Sequence, residues 1–121
     1  MRYLTFSEPQ KSEYPIVFLV PELNKSEIVK HYLTPQGIPL GDAIAIPIYK
    51  PNKKTKVSIL REYFELEVLP FLDQVKCKYL VICDSDYFKA ITKSVKVDAT
   101  IGYINQYSQY NILYCPSFKS I

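Results

Sequence analysis

Three carboxylates stand where apolar runs of the sequence end. Asp84 and Asp86 lie two residues apart in CDSDYF, directly after the apolar run YLVIC, and Glu22 follows the run PIVFLV. Two carboxylates at the end of a buried strand can bind Mg²⁺, which prefers oxygen ligands. Glu22 is a candidate general base or electrostatic stabiliser. The alternative is structural, because an acidic residue at the start of a helix caps it and suits the helix dipole.

A lysine-rich segment, KPNKKTK, follows another apolar run, AIAIPIY. Lysines of this kind can contact a phosphate backbone, and each neutralised phosphate steepens the salt dependence of binding by about one unit of slope. Two tyrosines, Tyr49 and Tyr87, are the aromatic residues nearest the predicted ligand edge, where their rings can stack on bases. The predicted DNA contacts are therefore Lys50, Lys53, Lys54, Tyr49 and Tyr87. The alternative is a solvated loop.

A tyrosine-rich stretch, YINQYSQYNILY, lies near the end of the sequence, and the chain has eleven Tyr and no Trp. If this stretch forms a hairpin, Tyr103, Tyr107 and Tyr110 are candidate anchors of a protein interface. An A/T-rich genome is a simpler reason for so many tyrosines.

The three cysteines, Cys77, Cys83 and Cys115, show no C-x-x-C spacing. A zinc or iron–sulfur site is therefore poorly supported, and no cofactor is expected. Cys83 and Cys115 each lie in an apolar run, which predicts small buried residues in a reducing compartment.

The composition is that of an ordinary globular domain. The chain has 121 residues, 48% of them hydrophobic and 22% charged, with a formal net charge of +3. This charge permits contact with DNA without requiring it. The longest apolar run is shorter than the roughly 20 residues needed to span a bilayer, and the N-terminus does not resemble a secretory signal. We therefore predict a cytoplasmic protein with no membrane partner.

Apolar runs alternate with helical patterns along the chain. The predicted strands are 15–20, 43–49, 79–83, 97–107 and 111–115, and the predicted helices begin near Asn24 or Ser26 and span 57–75 and 85–92. In the long helix, Ile59, Tyr63 and Leu66 are predicted to form an apolar stripe, which Leu60, Phe64 and Leu69 widen. Pro70 is predicted to kink or break this helix near Leu66, because its ring clashes with the carbonyl four residues back.

This alternation predicts an α/β protein, a three-layer α/β/α arrangement with a mostly parallel central sheet of four to five strands. It is expected to form a single domain over residues 1–121, with an irregular N-terminal arm or an edge strand over 1–15. Ligands of such sheets bind at the carboxyl ends of the strands, where the candidate residues lie.

The order of these stretches resembles the uracil-DNA glycosylase superfamily, most nearly its compact bacterial and archaeal branch. IAIPIYKPN, VLPFLDQV, YLVICDSDYFKAIT and LYCPSF are similar to successive stretches of that family, over roughly residues 16–118. Similar stretches also precede the polymerase in some phage family-A DNA polymerases, as a glycosylase-like N-terminal domain.

The resemblance places Cys115 where the family has a histidine that hydrogen-bonds the uracil O2 and stabilises the departing anion. The iron–sulfur cysteines of that branch are absent from the sequence. The resemblance therefore implies a catalytically inactive domain that serves DNA replication as a DNA-binding or protein-docking module. DNA and a replication protein or polymerase are the implied partners, and a bacterial host cytoplasm is the implied location if the protein is phage-encoded. Ser117 in CPSF would still contact a phosphate.

Two other functions stay open. The spacing of Asp84 and Asp86 is similar to the D-x-D step of Toprim domains, so a small glycosylase or Mg²⁺-dependent enzyme would use them together with Glu22. A phage interaction or inhibitor protein would bind through the tyrosine-rich hairpin.

Overall fold

The computed structural model describes residues 2–48, 55–92, 105–107 and 109–115, with the backbone alone for 105–107. The strands are β1 (Leu4–Thr5), β2 (Ile16–Val20), β3 (Ala43–Pro47), β4 (Tyr79–Ile82), β5 (Asn105–Tyr107) and β6 (Tyr110–Tyr114). The helices are α1 (Lys25–Ile28), α2 (Val57–Tyr63), α3 (Leu69–Gln74) and α4 (Ser85–Thr92), with π-helical turns at Val29–Leu33 and Phe64–Val68 and a 3-10 turn at Leu40–Asp42. Within these ranges no helix is both long enough and apolar enough to cross a bilayer.

The strands form one mixed sheet in the order β1-β3-β2-β4-β6-β5. The neighbouring pairs β3–β2, β2–β4 and β4–β6 are parallel, whereas β1 and β5 pair antiparallel at the two edges. The register places Val17 opposite Leu80, and Leu80 opposite Ile112. The carboxyl ends of the four inner strands therefore meet at one edge of the sheet.

Each face of the inner strands carries its own hydrophobic cluster. Val17 and Leu19 pack on one face with residues of α2, α3 and α4, whereas Phe18 and Val20 pack on the other with residues around α1. Because both faces are buried, the strand sequences are continuously apolar instead of alternating. On the α1 face the rings of Phe18 and Tyr32 stack with centroids 5.6 Å apart.

The helical stretch from Val57 to Gln74 continues through Pro70 instead of breaking. The π-helical turn Phe64–Val68 widens the helix just before the proline, which lets the backbone pass the ring. The same turn changes which side chains face the sheet. The buried residues are Leu60, Phe64, Val68 and Leu72, while Ile59 and Leu66 are exposed. The predicted stripe was therefore right at Leu60 and Phe64 and wrong at Ile59 and Leu66, of which Leu66 lies within the π-helical turn.

Arg61 on α2 ties this helix to the end of α4. Its Nε and Nη2 both donate to the carbonyl oxygen of Ala90, at 3.1 and 2.8 Å. The last carbonyls of a helix lack partners within it, so a guanidinium from a neighbouring helix stabilises that end.

The α/β class is confirmed, and two details of the prediction need correction. The described residues form six strands and not four to five, because Leu4–Thr5 pairs with β3 and places Leu4 opposite Ala45. The N-terminal arm is therefore not wholly irregular. Its Tyr14 is also buried, and the backbone N–H of Tyr14 donates to the Val75 carbonyl at 2.7 Å.

Candidate functional site

The direction of the strand order reverses between β2 and β4. From β2 the chain passes to β3 on one side, and it later returns to β4 on the other side. Such a reversal of strand order separates the loops that follow the two strands, and ligands of open α/β sheets bind there. The two ends are joined by the backbone, because the Cys83 N–H donates to the Leu19 carbonyl at 2.8 Å.

The loop after β2 contains Glu22 and the cap of α1. Glu22 is partly buried, and its carbonyl accepts a turn hydrogen bond from the Asn24 N–H at 3.1 Å. Asn24 Oδ1 accepts from the Glu27 N–H at 3.3 Å and from the Ser26 hydroxyl at 3.0 Å. Of the two predicted capping residues, Asn24 is the cap and Ser26 supports it.

A groove missed by the sequence reasoning adjoins this loop. It is lined by Asn24, Lys25, Ser26, Val29, Lys30 and Thr34. Two lysines and three residues with hydroxyl or amide side chains are therefore among the residues that line it. The signal was present in NKSEIVK, where Lys25 and Lys30 flank an apolar helix face, but an isolated pair of lysines is common on any helix surface.

The loop after β4 uses its first carboxylate as a helix cap. Asp84 Oδ2 accepts a hydrogen bond from the Tyr87 N–H at 3.1 Å, and the Asp84 carbonyl accepts from the Phe88 N–H at 3.1 Å. Asp84 is thus the cap, as the structural alternative expected, and Asp86 lies in the first turn of α4. Over the described part of the chain, no group of three or more His, Cys, Asp or Glu residues is arranged to hold a metal ion.

Replacement of Asp84 by Ala is expected to lower the free energy of unfolding by about 1 kcal/mol, the usual cost of losing an N-cap. Asp84→Asn keeps an oxygen acceptor at the cap and is expected to cost only a few tenths of that amount. Urea unfolding followed by circular dichroism measures both. A Mg²⁺-dependent rise in the stability of the wild type that disappears in Asp84→Asn would instead assign the carboxylate to a metal.

Two thiols lie side by side at the same edge. Cys115 directly follows β6, and its N–H donates to the Ile82 carbonyl at 3.1 Å. This contact places Cys115 beside Cys83, and the two side chains are hydrogen-bonded. The hydrogen bond from Cys83 lowers the pKa of Cys115 although burial opposes it. Burial raises the pKa of Cys83 well above its ordinary value.

Two tyrosines assigned to binding surfaces are core residues. Tyr87 is fully buried, and its ring meets that of Tyr63 edge-on with centroids 6.4 Å apart. Tyr110 is 4% exposed, and its hydroxyl donates to the Asp73 carboxylate. Burial and this carboxylate raise the pKa of Tyr110. The predictions that Tyr87 contacts DNA and that Tyr110 anchors an interface were therefore wrong, because neither ring reaches the surface.

Most of the remaining predicted site residues fall in parts of the chain that the structure does not describe. Lys50, Lys53, Lys54, Tyr49, Tyr103 and Ser117 lie outside the described residues, and for Tyr107 only the backbone is described, where it pairs with Tyr110. Strand β3 nevertheless ends at the carboxyl edge, and the Ile48 N–H donates to the Val20 carbonyl at 3.0 Å. The lysine-rich segment thus begins just after this edge in the sequence.

No family model matches this chain, and no curated protein matches it.

Proposed function

We propose that this protein is a uracil-DNA glycosylase-like domain without glycosylase activity, which serves DNA replication as a DNA-binding or protein-docking module. As the N-terminal part of a phage DNA polymerase, or beside one, it would act in the cytoplasm of a bacterial host. The proposal includes a three-layer α/β/α arrangement, in which helices cover both faces of a mostly parallel sheet. The four adjacent parallel strands and the hydrophobic cluster on each face of the sheet support it.

The observation that carries the proposal is the position of Cys115. Its thiol lies at the carboxyl edge of the sheet, where the resemblance expects an imidazole, and it is hydrogen-bonded to Cys83. A thiol is a weak hydrogen-bond donor. It therefore cannot stabilise the anion of a departing uracil as a histidine would.

Binding to DNA is supported by the charges near the same edge. Lys25 and Lys30 line the groove beside α1, and the lysine-rich segment follows β3. A phosphate is contacted most easily by a cation that does not have to give up a structural contact within the protein. Long lysine side chains on a surface can make such contacts. Asp84, by contrast, is committed to the cap of α4.

The test combines binding and chemistry on the same DNA. Fluorescently labelled single-stranded and duplex oligonucleotides, with and without uracil, are incubated with the protein in the presence and absence of Mg²⁺. We expect anisotropy to report binding that weakens steeply as salt rises, with no release of uracil and no strand cleavage. Base release or cleavage that disappears in Glu22→Gln would overturn the proposal in favour of an enzyme.

A further inference from the structure

The positions of Cys83 and Cys115 are compatible with a covalent bond between them. Ile82 lies opposite Tyr114 in the β4–β6 register, and the two cysteines are the next residue on each side. Neighbouring strands lie about 4.8 Å apart. A disulfide joins Cα atoms separated by about 4.4–6.8 Å, so neighbouring strand positions fall within its reach.

Both thiols lie on the same face of the sheet. Cys83 belongs to the hydrophobic cluster on the α1 face, and Cys115 packs against that cluster. The preceding residues, Ile82 and Tyr114, pack on the opposite face. The alternation of side chains along a strand therefore directs the two sulfur atoms to one side, where they are hydrogen-bonded to each other.

The two thiols differ in access and in acidity. Cys83 is fully buried, whereas Cys115 is partly exposed. Cys83 also has a hydrogen bond with Tyr32, and the negative charge of Asp84 disfavours a thiolate at Cys83. A negative charge is therefore more favourable on Cys115 than on Cys83. An accessible thiolate beside a second thiol is the arrangement that reactive cysteine pairs use.

We propose that Cys115 and Cys83 are an oxidisable pair, in which Cys115 reacts with a peroxide and Cys83 then closes a disulfide across the ends of β4 and β6. In the first step, the Cys115 thiolate attacks one peroxide oxygen. The S–O bond forms, the O–O bond breaks, and the leaving hydroxide takes a proton to become water. Cys115 is then a sulfenic acid.

In the second step, the Cys83 sulfur attacks the Cys115 sulfur. The S–S bond forms, the S–O bond breaks, and the hydroxyl leaves as water with the Cys83 proton. Two thiols have then lost two electrons in total, and one hydrogen peroxide has been reduced to two waters. The inference goes beyond DNA binding and does not depend on it.

Cys77 is the built-in control thiol. It is buried at the other end of β4, and its Sγ donates to the Tyr79 carbonyl at 3.3 Å. Burial raises the pKa of Cys77 to about 12. A thiol of this kind is almost wholly protonated near neutral pH, and the thiolate is the form that attacks peroxide.

The experiment treats the reduced, folded protein with a small excess of hydrogen peroxide and then alkylates the remaining thiols under denaturing conditions. We expect the number of free thiols to fall from three to one. Intact mass should show the loss of two hydrogen atoms, and a peptide map should join the peptides of Cys83 and Cys115. Dithiothreitol should restore all the thiols. Cys77→Ser should behave as the wild type does.

Cys115→Ser should leave Cys83 reduced under the same conditions, because a fully buried thiol does not meet the peroxide. If this variant does not fold, the peptide map of the oxidised wild type still shows whether Cys83 and Cys115 are joined. A disulfide that involves Cys77, a bond between two chains, or three thiols left intact would each overturn the proposal.

Discussion

Tyr87→Ala should lower the free energy of unfolding by about 3–5 kcal/mol, the usual cost of truncating a buried aromatic side chain. Tyr87 is fully buried in the cluster between the sheet and the helices α2, α3 and α4. Its loss leaves a cavity where α4 packs, and Tyr63 loses an edge-on aromatic contact. Since whole domains are stable by only about 5–15 kcal/mol, this single change removes a large share. Urea unfolding followed by circular dichroism measures it.

Two variants distinguish a role of Tyr87 in the core from a role in DNA binding at the surface. Tyr79→Ala truncates a tyrosine that is 41% exposed and is expected to cost far less than Tyr87→Ala. Tyr87→Phe keeps the ring and is expected to cost about 0.5–1.5 kcal/mol through the hydroxyl. A Tyr87→Ala protein that unfolds at the wild-type urea concentration but no longer binds DNA would return Tyr87 to the binding surface.

Replacement of Lys50, Lys53 and Lys54 together by Gln is expected to weaken binding to all DNA sequences alike. Each lysine that contacts a phosphate contributes about one unit to the slope of log affinity against log salt, so the slope should fall by about three units. The effect should be largest at low salt, where counterion release contributes most. Fluorescence anisotropy over a series of salt concentrations gives both slopes.

The matched control removes the same charge from lysines near the amino ends of the strands. Lys11, Lys76 and Lys78 are exposed and lie near the amino ends of β2 and β4. Lys11 forms only a long surface ion pair with Asp42, at 3.8 Å, which is worth little. If the two triple variants reduce the salt slope equally, net charge and not the carboxyl edge governs binding.

The inner strands were predictable because burial on both faces leaves a continuous apolar run. PIVFLV, AIAIP and YLVI all read as strands, and β2, β3 and β4 occupy them. For the N-terminal segment the sequence left an irregular arm and an edge strand open, since a strand as short as β1 exists only through its pairing with β3. The buried face of the long helix was predicted correctly at Leu60 and Phe64 but not at Leu66, because a π-helical turn shifts the side-chain period without leaving a mark in the residue pattern.

The candidate site was predictable as a location but not as a set of contacts. That the loops after β2 and β4 lie at one edge follows from parallel strands alone. Asp84 is a helix cap because its carboxylate accepts a hydrogen bond from the Tyr87 N–H, and the sequence alone does not show this contact. The contact between Cys83 and Cys115 depends on the β4–β6 register. The two cysteines lie far apart in the sequence, so their spacing does not show that they are neighbours. The position of Tyr87 also depends on tertiary packing, because the sequence does not fix which face of α4 packs against the sheet.

The shortness of β1 also limits how copies of this chain can associate. An outermost strand with a long row of unpaired N–H and C=O groups invites a second chain to add itself to the sheet. Here that strand has two residues, and its neighbour β3 ends on Pro47, which has no N–H to offer. Aggregation by strand addition at this border is therefore disfavoured, and any partner that docks there must bind through side chains.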